Sequence, residues 1–371
     1  MRAIRLSGWT VALLMGSWGI SWANFKWDLG GTVTTSYDDN VTYVKTDRIS
    51  DVITRASLGG GFTQEGKTYM VDFRGILTEN VFARHSSFDN FSQNLSLDAR
   101  KDLTDYDHLS AKETFRHTEE PYSFEDAFGR TNGRYGSYSN RLNLEYSHEI
   151  TRQWTAKLKY LQRNDNFTRQ GLSDSAGYAP GIETDYVIDS MTRAMLGYDY
   201  TRSFFDPGKD ASDHTIFCGL RRYLTNQWYV DLKSGIDFIN AFDDRNFTKP
   251  RYEVGLTHEL DQNTQLNVKY VDQYAIGSFS ADVFKSWRWV ISGVKQLTAR
   301  LKANIDAFYG KGEYLTNDIS DKLSGADLGV QYALSERTSL KVSYLYERTD
   351  SNVDSREYTR NMILFGFMFA F

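Results

Sequence analysis

The sequence is poor in cysteine, in proline and in long apolar runs. Cys218 is the only cysteine among 371 residues, which excludes an internal disulfide and a cysteine-based metal site. Only four prolines occur, and a low proline content suits a chain of long strands, because proline cannot donate to a β-ladder. No stretch after residue 23 approaches the roughly 18–20 apolar residues that a membrane-spanning helix needs. A disulfide scaffold and a helical membrane protein are therefore excluded.

Aromatic side chains are abundant instead. The chain has 24 Tyr, 23 Phe and 8 Trp, together 15% of its residues. Such a composition, with little proline, is typical of a membrane β-barrel whose strands carry aromatic side chains at both membrane interfaces. The net charge is −5, which argues against a nucleic-acid partner.

The N-terminus predicts a cleaved secretory signal peptide. Arg2 and Arg5 form a basic segment, an apolar core covers residues 9–20, and residues 21–23 fit a cleavage site ending at Ala23. We therefore expect two parts, a signal peptide at 1–23 and an outer-membrane β-barrel at 24–371. An N-terminal anchor helix is the alternative, but the apolar core is short for one.

The rest of the chain repeats one pattern, in which apolar and polar residues alternate with a period of two. Trp154 and Leu158, for example, alternate with Lys157 and Lys159. The segments are about ten to fourteen residues long, more than the usual five or six of soluble proteins. The polar set is charged along the whole segment, as expected for strands with one face toward lipid and the other toward a polar lumen.

The alternation assigns a set of charged residues to the lumen. Their signs are mixed, so they could select permeating ions or pair with each other across the inner wall. The predicted lumen-facing residues are Arg74, Arg141, Glu145, Lys157, Lys159, Arg163, Asp231, Lys233, Asp237, Arg251, Glu253, Lys269, Lys302, Asp306, Asp327, Lys341 and Glu347.

Short and long connections alternate, which is typical of periplasmic turns and outer loops. Long loops are predicted at 38–50, 118–136, 167–184, 204–213, 310–321 and 350–357. Seventeen segments can be counted, but such barrels have an even number of strands. The missing strand is expected in residues 177–188, where the alternation is poor. The sequence thus predicts an all-β fold, a single antiparallel up-and-down transmembrane barrel of 16 or 18 strands.

The last segment, residues 358–371, carries the most specific signal. Its apolar residues fall on one face and end at a terminal Phe, which resembles the signal read by the outer-membrane assembly machinery. In a soluble protein such a strand would be an aggregation hazard. The residues of this assembly signal are Ile363, Phe365, Phe367, Phe369 and Phe371.

Candidate catalytic and metal-binding residues are few. The six histidines could serve a barrel protease or phospholipase, but His148 and His258 lie near short turns, and Ser147 points to the opposite face from His148. Clustered oxygens at residues 38–40 and 313–321 could bind Ca²⁺, yet their spacing matches no dedicated loop and a solvated loop is the preferred interpretation. We expect no catalytic residue, cofactor or metal.

Three short segments carry a resemblance to a known family. Residues 36–41 (SYDDNV) close the first strand, and residues 219–225 (GLRRYLT) and 330–335 (VQYALS) each precede another strand. They resemble a family of outer-membrane β-barrel porins often associated with exopolysaccharide operons. The resemblance implies an outer-membrane channel, with polysaccharide export as one function that such a channel would serve. No functional residues are carried over from the family.

Three functional hypotheses follow. The first is a porin-like channel of a Gram-negative outer membrane, reached through the general secretory pathway, that passes solutes or exported polysaccharide. The second is a structural sheath around a partner such as a multihaem electron conduit, and the third is a barrel enzyme. The expected partners are outer-membrane lipid and lipopolysaccharide, the barrel assembly machinery, and polysaccharide or small solutes. A wide, polar lumen favours the first two.

Overall fold

A computed structural model describes residues 25–119, 133–169, 172–206, 208–241, 245–261, 263–277, 282–315 and 318–371. The predicted signal peptide and Ala23 lie outside the described residues. The strands are β1 (Phe25–Asp38), β2 (Asp51–Glu65), β3 (Tyr69–Phe82), β4 (Asn90–Asp102), β5 (Asp107–Thr118), β6 (Ser137–Thr151), β7 (Trp154–Phe167), β8 (Ser175–Asp189), β9 (Thr192–Phe205), β10 (Lys209–Tyr223), β11 (Trp228–Asn240), β12 (Asn246–Asp261), β13 (Thr264–Gly277), β14 (Asp282–Gln296), β15 (Leu301–Tyr314), β16 (Ser320–Ala333), β17 (Thr338–Ser351) and β18 (Tyr358–Ala370).

The strands form one closed antiparallel sheet. Each strand pairs with its neighbours in sequence, and β18 returns to pair with β1 from Met362–Asp38 to Ala370–Gly30. Closure removes the free edges that would otherwise recruit other strands. The predicted all-β barrel is confirmed, and the choice between 16 and 18 strands is settled at 18. No helix in the described ranges is long and apolar enough to cross a membrane.

The region around β8 agrees with the expectation in part. The strand expected within residues 177–188 is present as β8 (Ser175–Asp189), so the loop expected at 167–184 is shorter and Pro180 lies in a strand. The ladder between β8 and β9 skips residues 179 and 180, because proline lacks the N–H that the pairing needs. Small residues at Gly177 and Gly181 hide the alternation here. The expected loop at 204–213 is also much shorter, since β9 ends at Phe205 and β10 begins at Lys209.

The two faces of the sheet differ in polarity. One face carries large apolar side chains that are exposed, such as Leu58, Leu158 and Phe365. The other carries residues that the barrel buries, including Asp237 and Asp321. The apolar face therefore points outward, toward lipid, and the polar face lines the lumen.

An apolar band covers the outward face of the sheet, as expected of a membrane barrel. Its outer boundary is marked by outward-facing polar residues. On successive strands these include Glu79, Gln93, Glu113, Asp272, Lys285, Lys311 and Arg348. The strands continue beyond this boundary, so the barrel projects above the membrane on the side of the long loops.

Candidate channel lumen and outer mouth

The pairing register places all seventeen predicted lumen charges on the inward face. Arg141, for example, lies opposite Arg163, and Glu145 opposite Lys159. Lys233 lies opposite Glu253 on the next strand, and the same phase continues around the sheet. The structure therefore brings the seventeen residues onto one continuous inner wall.

A densely ion-paired arc occupies the inner wall from β7 to β13. The ammonium of Lys157 lies 2.6 Å from Asp185 and 3.3 Å from Glu183, and that of Lys159 lies 2.7 Å from Glu183. On the next strands, Arg221 pairs with Asp231. Charges that neutralise each other in this way leave only small net fields for a permeating ion.

An aromatic ring supports the lysines of this arc. Phe217 is only 1% exposed although it faces the lumen. Its ring lies across Gly197, where a Cβ would come within 2.3 Å of it. Lys233 and Lys159 place their ammonium groups 3.6 and 5.4 Å from the ring centroid. Such cation–π contacts hold the two charges at defined positions on the wall.

The neighbouring arc, from β2 to β6, contains a row of short neutral polar side chains. The hydroxyls of Ser57 and Thr78 lie 2.8 Å apart. Asn80 donates to Asn90 at 2.9 Å, and Ser92 donates to Thr118 at 3.4 Å. Hydroxyl and amide groups both donate and accept hydrogen bonds, so this row adds neutral hydrogen-bonding groups to an arc that also carries inward charges such as Lys112.

Several lumen charges were missed by the sequence interpretation. Glu183 and Asp185 are partners of predicted lysines, but they lie in β8, whose alternation is weak. Counting alternate residues from the outward-facing Tyr178 and Ile182 would have assigned Glu183 and Asp185 to the inward face. Further missed residues on the inward face are Asp38, Arg55, Asp72, Lys112, Arg116, Asp199, Arg221, Arg288, Asp321 and Arg360.

The SYDDN segment joins the two ends of the sheet. Asp38 accepts two hydrogen bonds from Arg360 of β18 and is fully buried. Asp39 accepts from the backbone N–H and the side-chain amide of Asn361, both at 2.7 Å. Asn40 donates to the carbonyl of Thr359 at 2.9 Å. The expectation of a solvated loop is therefore wrong at Asp38, because Asp38 ends β1 and its carboxylate neutralises a buried arginine. It is also wrong at Asp321, which lies in β16, is buried and binds Arg356.

The loop at residues 39–50 packs against the inner wall at the mouth. Val41 and Ile53 are fully buried and pack with Phe82. Arg134, from the loop between β5 and β6, donates to the carbonyl of Val41 at 2.9 Å and lies 4.5 Å from the ring centroid of Phe82. Apolar contacts thus hold this loop within the outer mouth, and the loop narrows the mouth.

The loop between β17 and β18 is held in a similar way. Arg356 binds Asp321 at 2.5 Å and donates to the hydroxyl of Tyr314 at 3.1 Å. Hydrogen bonding to Asp321 opposes the cost of burial and raises the pKa of Arg356 above its usual value. The guanidinium therefore stays charged and fixes the loop to the inner wall.

The histidines do not form a catalytic arrangement with Ser147. His148 faces outward and binds Asp107 at 2.8 Å, whereas Ser147 faces the lumen opposite Lys157. His258 stacks on Trp228 with centroids 4.3 Å apart, as interfacial side chains do. Within the described ranges no group of three or more His, Cys, Asp or Glu is arranged to hold a metal ion.

The predicted assembly residues lie on the outward face of β18. Phe365 is 60% exposed and Phe371 is 70% exposed. The rings of Phe369 and Phe371 meet edge to face at 5.4 Å. The backbone N–H of Phe371 donates to the carbonyl of Leu29 on β1 at 2.9 Å. The terminal residue thus belongs to the seam where the barrel closes.

Comparison with known proteins agrees with this architecture. Residues 290–371 match a family model described as "Putative beta-barrel porin 2". This match confirms the resemblance to a porin family; it includes residues 330–335 but neither residues 36–41 nor residues 219–225. The sequence matches none of the curated proteins with which it was compared.

Two solved structures illustrate the likeness. The FrpB iron transporter of Neisseria meningitidis (F3-3 variant) superposes with a TM-score of 0.53 at 9% identity, covering 93% of this chain and 81% of that one. A BenF-like porin of Pseudomonas fluorescens Pf-5 gives a TM-score of 0.50 at 10% identity, covering 93% and 99%. At such identities the likeness concerns the fold. The chain thus has the closed-barrel fold of these outer-membrane proteins, and its residues 290–371 match a porin family model.

Proposed function

We propose that the protein is a non-enzymatic channel that passes solutes or an exported polysaccharide across a Gram-negative outer membrane. One observation carries the proposal: an 18-stranded closed sheet surrounds an inward face that carries polar or charged residues on every strand. A barrel of this strand number is wide enough for an aqueous path. The ion-paired inner wall needs no partner to neutralise it, which favours a pore over a sheath around another protein.

The row of neutral polar side chains on β2–β5 suits a polyhydroxyl solute. Ser57, Thr78 and Ser92 can exchange hydrogen bonds with sugar hydroxyls at little cost, because water already forms such bonds with both partners. The paired charges on the neighbouring arc hold each other, which leaves this row as a surface along which a sugar chain can slide. This arrangement supports a carbohydrate as the exported or imported solute.

Single-channel conductance in planar bilayers tests the pore. We expect steady unitary steps with weak ion selectivity, since the charges of the wall are largely paired. A folded, heat-modifiable barrel that never conducts would overturn the proposal. The expected carbohydrate is tested by adding oligosaccharides to an open channel, where transient blockades are expected with neutral sugars and not with polyethylene glycol of similar size.

The route and partners belong to the same proposal. Export through the general secretory pathway requires cleavage after Ala23, which N-terminal sequencing of the membrane-inserted protein would test. We propose lipopolysaccharide and outer-membrane lipid around the apolar band, and the barrel assembly machinery as the partner that recognises β18. Nucleic acid is not an expected partner.

A further inference from the structure

One sector of the outer boundary of the apolar band is basic. Each of the four strands β14–β17 places one cation on its outward face, in phase with exposed large side chains such as Trp289 and Tyr309. These cations, which we call the basic patch, are Lys285, Lys311, Lys322 and Arg348. On β3 and β5 the same boundary carries Glu79 and Glu113. The charge of the boundary therefore changes sign around the barrel.

Two lysines of the basic patch stand directly opposite each other. Lys311 of β15 pairs with Lys322 of β16 in the ladder, so their Cβ atoms lie roughly 5 Å apart on one face, and like charges in such a pair destabilise a sheet. On its other side Lys322 stands opposite Asp350. No carboxylate in the described part of the chain is close enough to form an ion pair with the exposed ammonium of Lys322. The two lysines are therefore placed to share an anion.

The acids near the basic patch are fewer than its cations and are already engaged. Lys311 binds Glu313, and Arg348 binds Asp350 at 2.7 Å. Each of these acids lies two residues further from the membrane on the same strand as its partner. Four cations thus face two carboxylates, or three if Asp272 at the edge on β13 is counted. The patch therefore stays positive, and its lysines and arginine have more N–H donors than these contacts use.

Aromatic side chains lie beside the basic patch and on its membrane side. Trp287 stands opposite Lys311, and its ring meets that of Tyr309 at 5.7 Å. The rings of Trp289 and Tyr270 lie 5.0 Å apart on the neighbouring pair of strands. Tyr and Trp mark the level at which acyl chains give way to headgroups. The cations just beyond them therefore stand at the height of lipid phosphates.

We propose that the basic patch binds the phosphate groups of a phosphorylated glycolipid of the outer leaflet, of the lipid A type. One phosphate lies between Lys311 and Lys322 and relieves their repulsion. A second phosphate of the same headgroup reaches Arg348, because a guanidinium binds phosphate oxygens in pairs. The acyl chains of the lipid then cover the apolar band below.

The apolar band and aromatic row under the patch favour a lipid over an acidic protein, because only a lipid fills both levels. The inference rests on the proposed outer-membrane location and names the place where lipopolysaccharide is held. It does not require the barrel to conduct.

Lipid binding by the refolded full chain in detergent is the measurement, titrated with purified lipid A and followed by native mass spectrometry. Lys311→Gln with Lys322→Gln removes the opposed pair, and Lys311→Arg with Lys322→Arg keeps both charges. The matched control is Lys101→Gln with Arg222→Gln. It removes two outward-facing charges at the end of the barrel where the short turns lie.

The double glutamine variant is expected to raise the Kd for lipid A about ten-fold or more, since each cation near an anionic lipid surface contributes to binding. The double arginine variant and the control are expected to bind as the wild type does. Lipid A stripped of its phosphates should bind all of these proteins equally weakly. Inorganic phosphate bound as tightly as lipid A would mean that the patch holds a free anion, which overturns the lipid.

Thermal stability in detergent gives a second readout. Without lipid, the double glutamine variant is expected to unfold no earlier than the wild type, because the repulsion between Lys311 and Lys322 is gone. Lipid A should then raise the unfolding temperature of the wild type more than that of the variant. A variant that is less stable without lipid would assign these lysines a structural role and overturn the site.

The lipid site and the pore fail separately. If the wild type binds lipid A with and without phosphates equally, or if the control loses as much binding as the double glutamine variant, the site is overturned. Conductance of the same wild-type protein would still support the pore. A barrel that binds lipid A through the patch and never conducts would keep the site and lose the pore.

Discussion

The guanidinium of Arg360 donates two hydrogen bonds to one carboxylate oxygen of Asp38, at 2.6 and 2.9 Å. Asp38 is the last residue of β1 and Arg360 lies near the start of β18. The pair therefore joins the first and last strands at the outer end of the seam where the barrel closes. Arg360 also binds Glu347 at 3.1 Å, and the ring of Tyr43 lies 4.7 Å from its guanidinium. The short SYDDN segment thus has a structural role in closing the barrel.

Breaking this pair is expected to destabilise the barrel strongly. Asp38→Asn leaves a buried guanidinium with only Glu347 as a charged partner, and removal of one member of a buried pair costs roughly 3–5 kcal/mol. The free energy of unfolding in detergent, from a urea titration, is the measurement. The control is Arg348→Gln, because Arg348 and Asp350 form an exposed pair that is worth about 1 kcal/mol or less. Equal losses in the two variants would contradict the structural role of the seam.

The sequence predicted the barrel well because its signals are local. Alternation assigns each residue to a face, and once the faces are known the inward charges follow. In β8, where small residues and Pro180 weaken the alternation, strand parity predicted a strand within residues 177–188 but the residue pattern did not assign its faces, so Glu183 and Asp185 were missed. The sequence could not predict the contact of Asp38 with Arg360, which joins residues 322 positions apart. Nor could it show that Val283, outward by phase, is buried against Ile239.

Glycines on the inward face differ in how closely the wall approaches them. A Cβ at Gly235 would lie 2.5 Å from the carbonyl oxygen of Ile216 and 2.9 Å from Phe217. A Cβ at Gly255, one strand away, would meet nothing nearer than 3.7 Å. Gly235→Ala is therefore expected to cost roughly 1–3 kcal/mol of unfolding free energy, and Gly255→Ala less than about 0.5 kcal/mol. Similar urea midpoints for the two variants would show that the neighbouring strand shifts to accommodate a Cβ at Gly235.

The paired arc makes a prediction about ion selectivity. Lys157→Gln with Lys159→Gln removes two positive charges and leaves Glu183 and Asp185 without their partners. The reversal potential in a potassium chloride gradient is expected to shift toward cation selectivity, because a negative ring in a confined lumen attracts cations. The control is Lys311→Gln, whose side chain lies outside the barrel next to Glu313. A shift of equal size in the control would mean that these lysines do not face the conducting path.

The two loops beside the seam are linked by Lys45. It binds Glu357 and, at 3.1 Å, Asp354. Hydrogen bonding to Glu357 and then to Asp354 raises the pKa of Lys45 above its usual 10.5. A raised pKa means that the contact contributes fully below pH 10.5 and is lost as the pH rises through the raised value. Amide exchange in residues 39–50, corrected for intrinsic rates, is expected to stay constant between about pH 6 and 9.

Lys45→Gln tests the same contact without a change of pH. Exchange in residues 39–50 is expected to rise at every pH, because the amide cannot replace an ammonium between two carboxylates. Lys67→Gln, in a short turn at the other end of the barrel, serves as the control. Protection that persists unchanged in Lys45→Gln would assign the order of this loop to Val41 and its apolar contacts alone.

A variant of the terminal residue, Phe371, allows assembly in the cell to be tested separately from the stability of the folded barrel. Phe371 is 70% exposed, so its ring contributes little to the folded barrel in detergent, where apolar surface stays covered whether the ring is present or not. Phe371→Ser is therefore expected to refold in detergent as the wild type does, while its yield in the outer membrane falls several-fold, because we propose that the assembly machinery reads the end of β18. Leu334→Ser, an exposed apolar residue of a short turn, should lower neither. If Phe371→Ser also fails to refold in detergent, the terminal ring stabilises the barrel through its contact with Phe369 and the closing seam. Recognition by a partner would then not be needed to explain the terminal Phe.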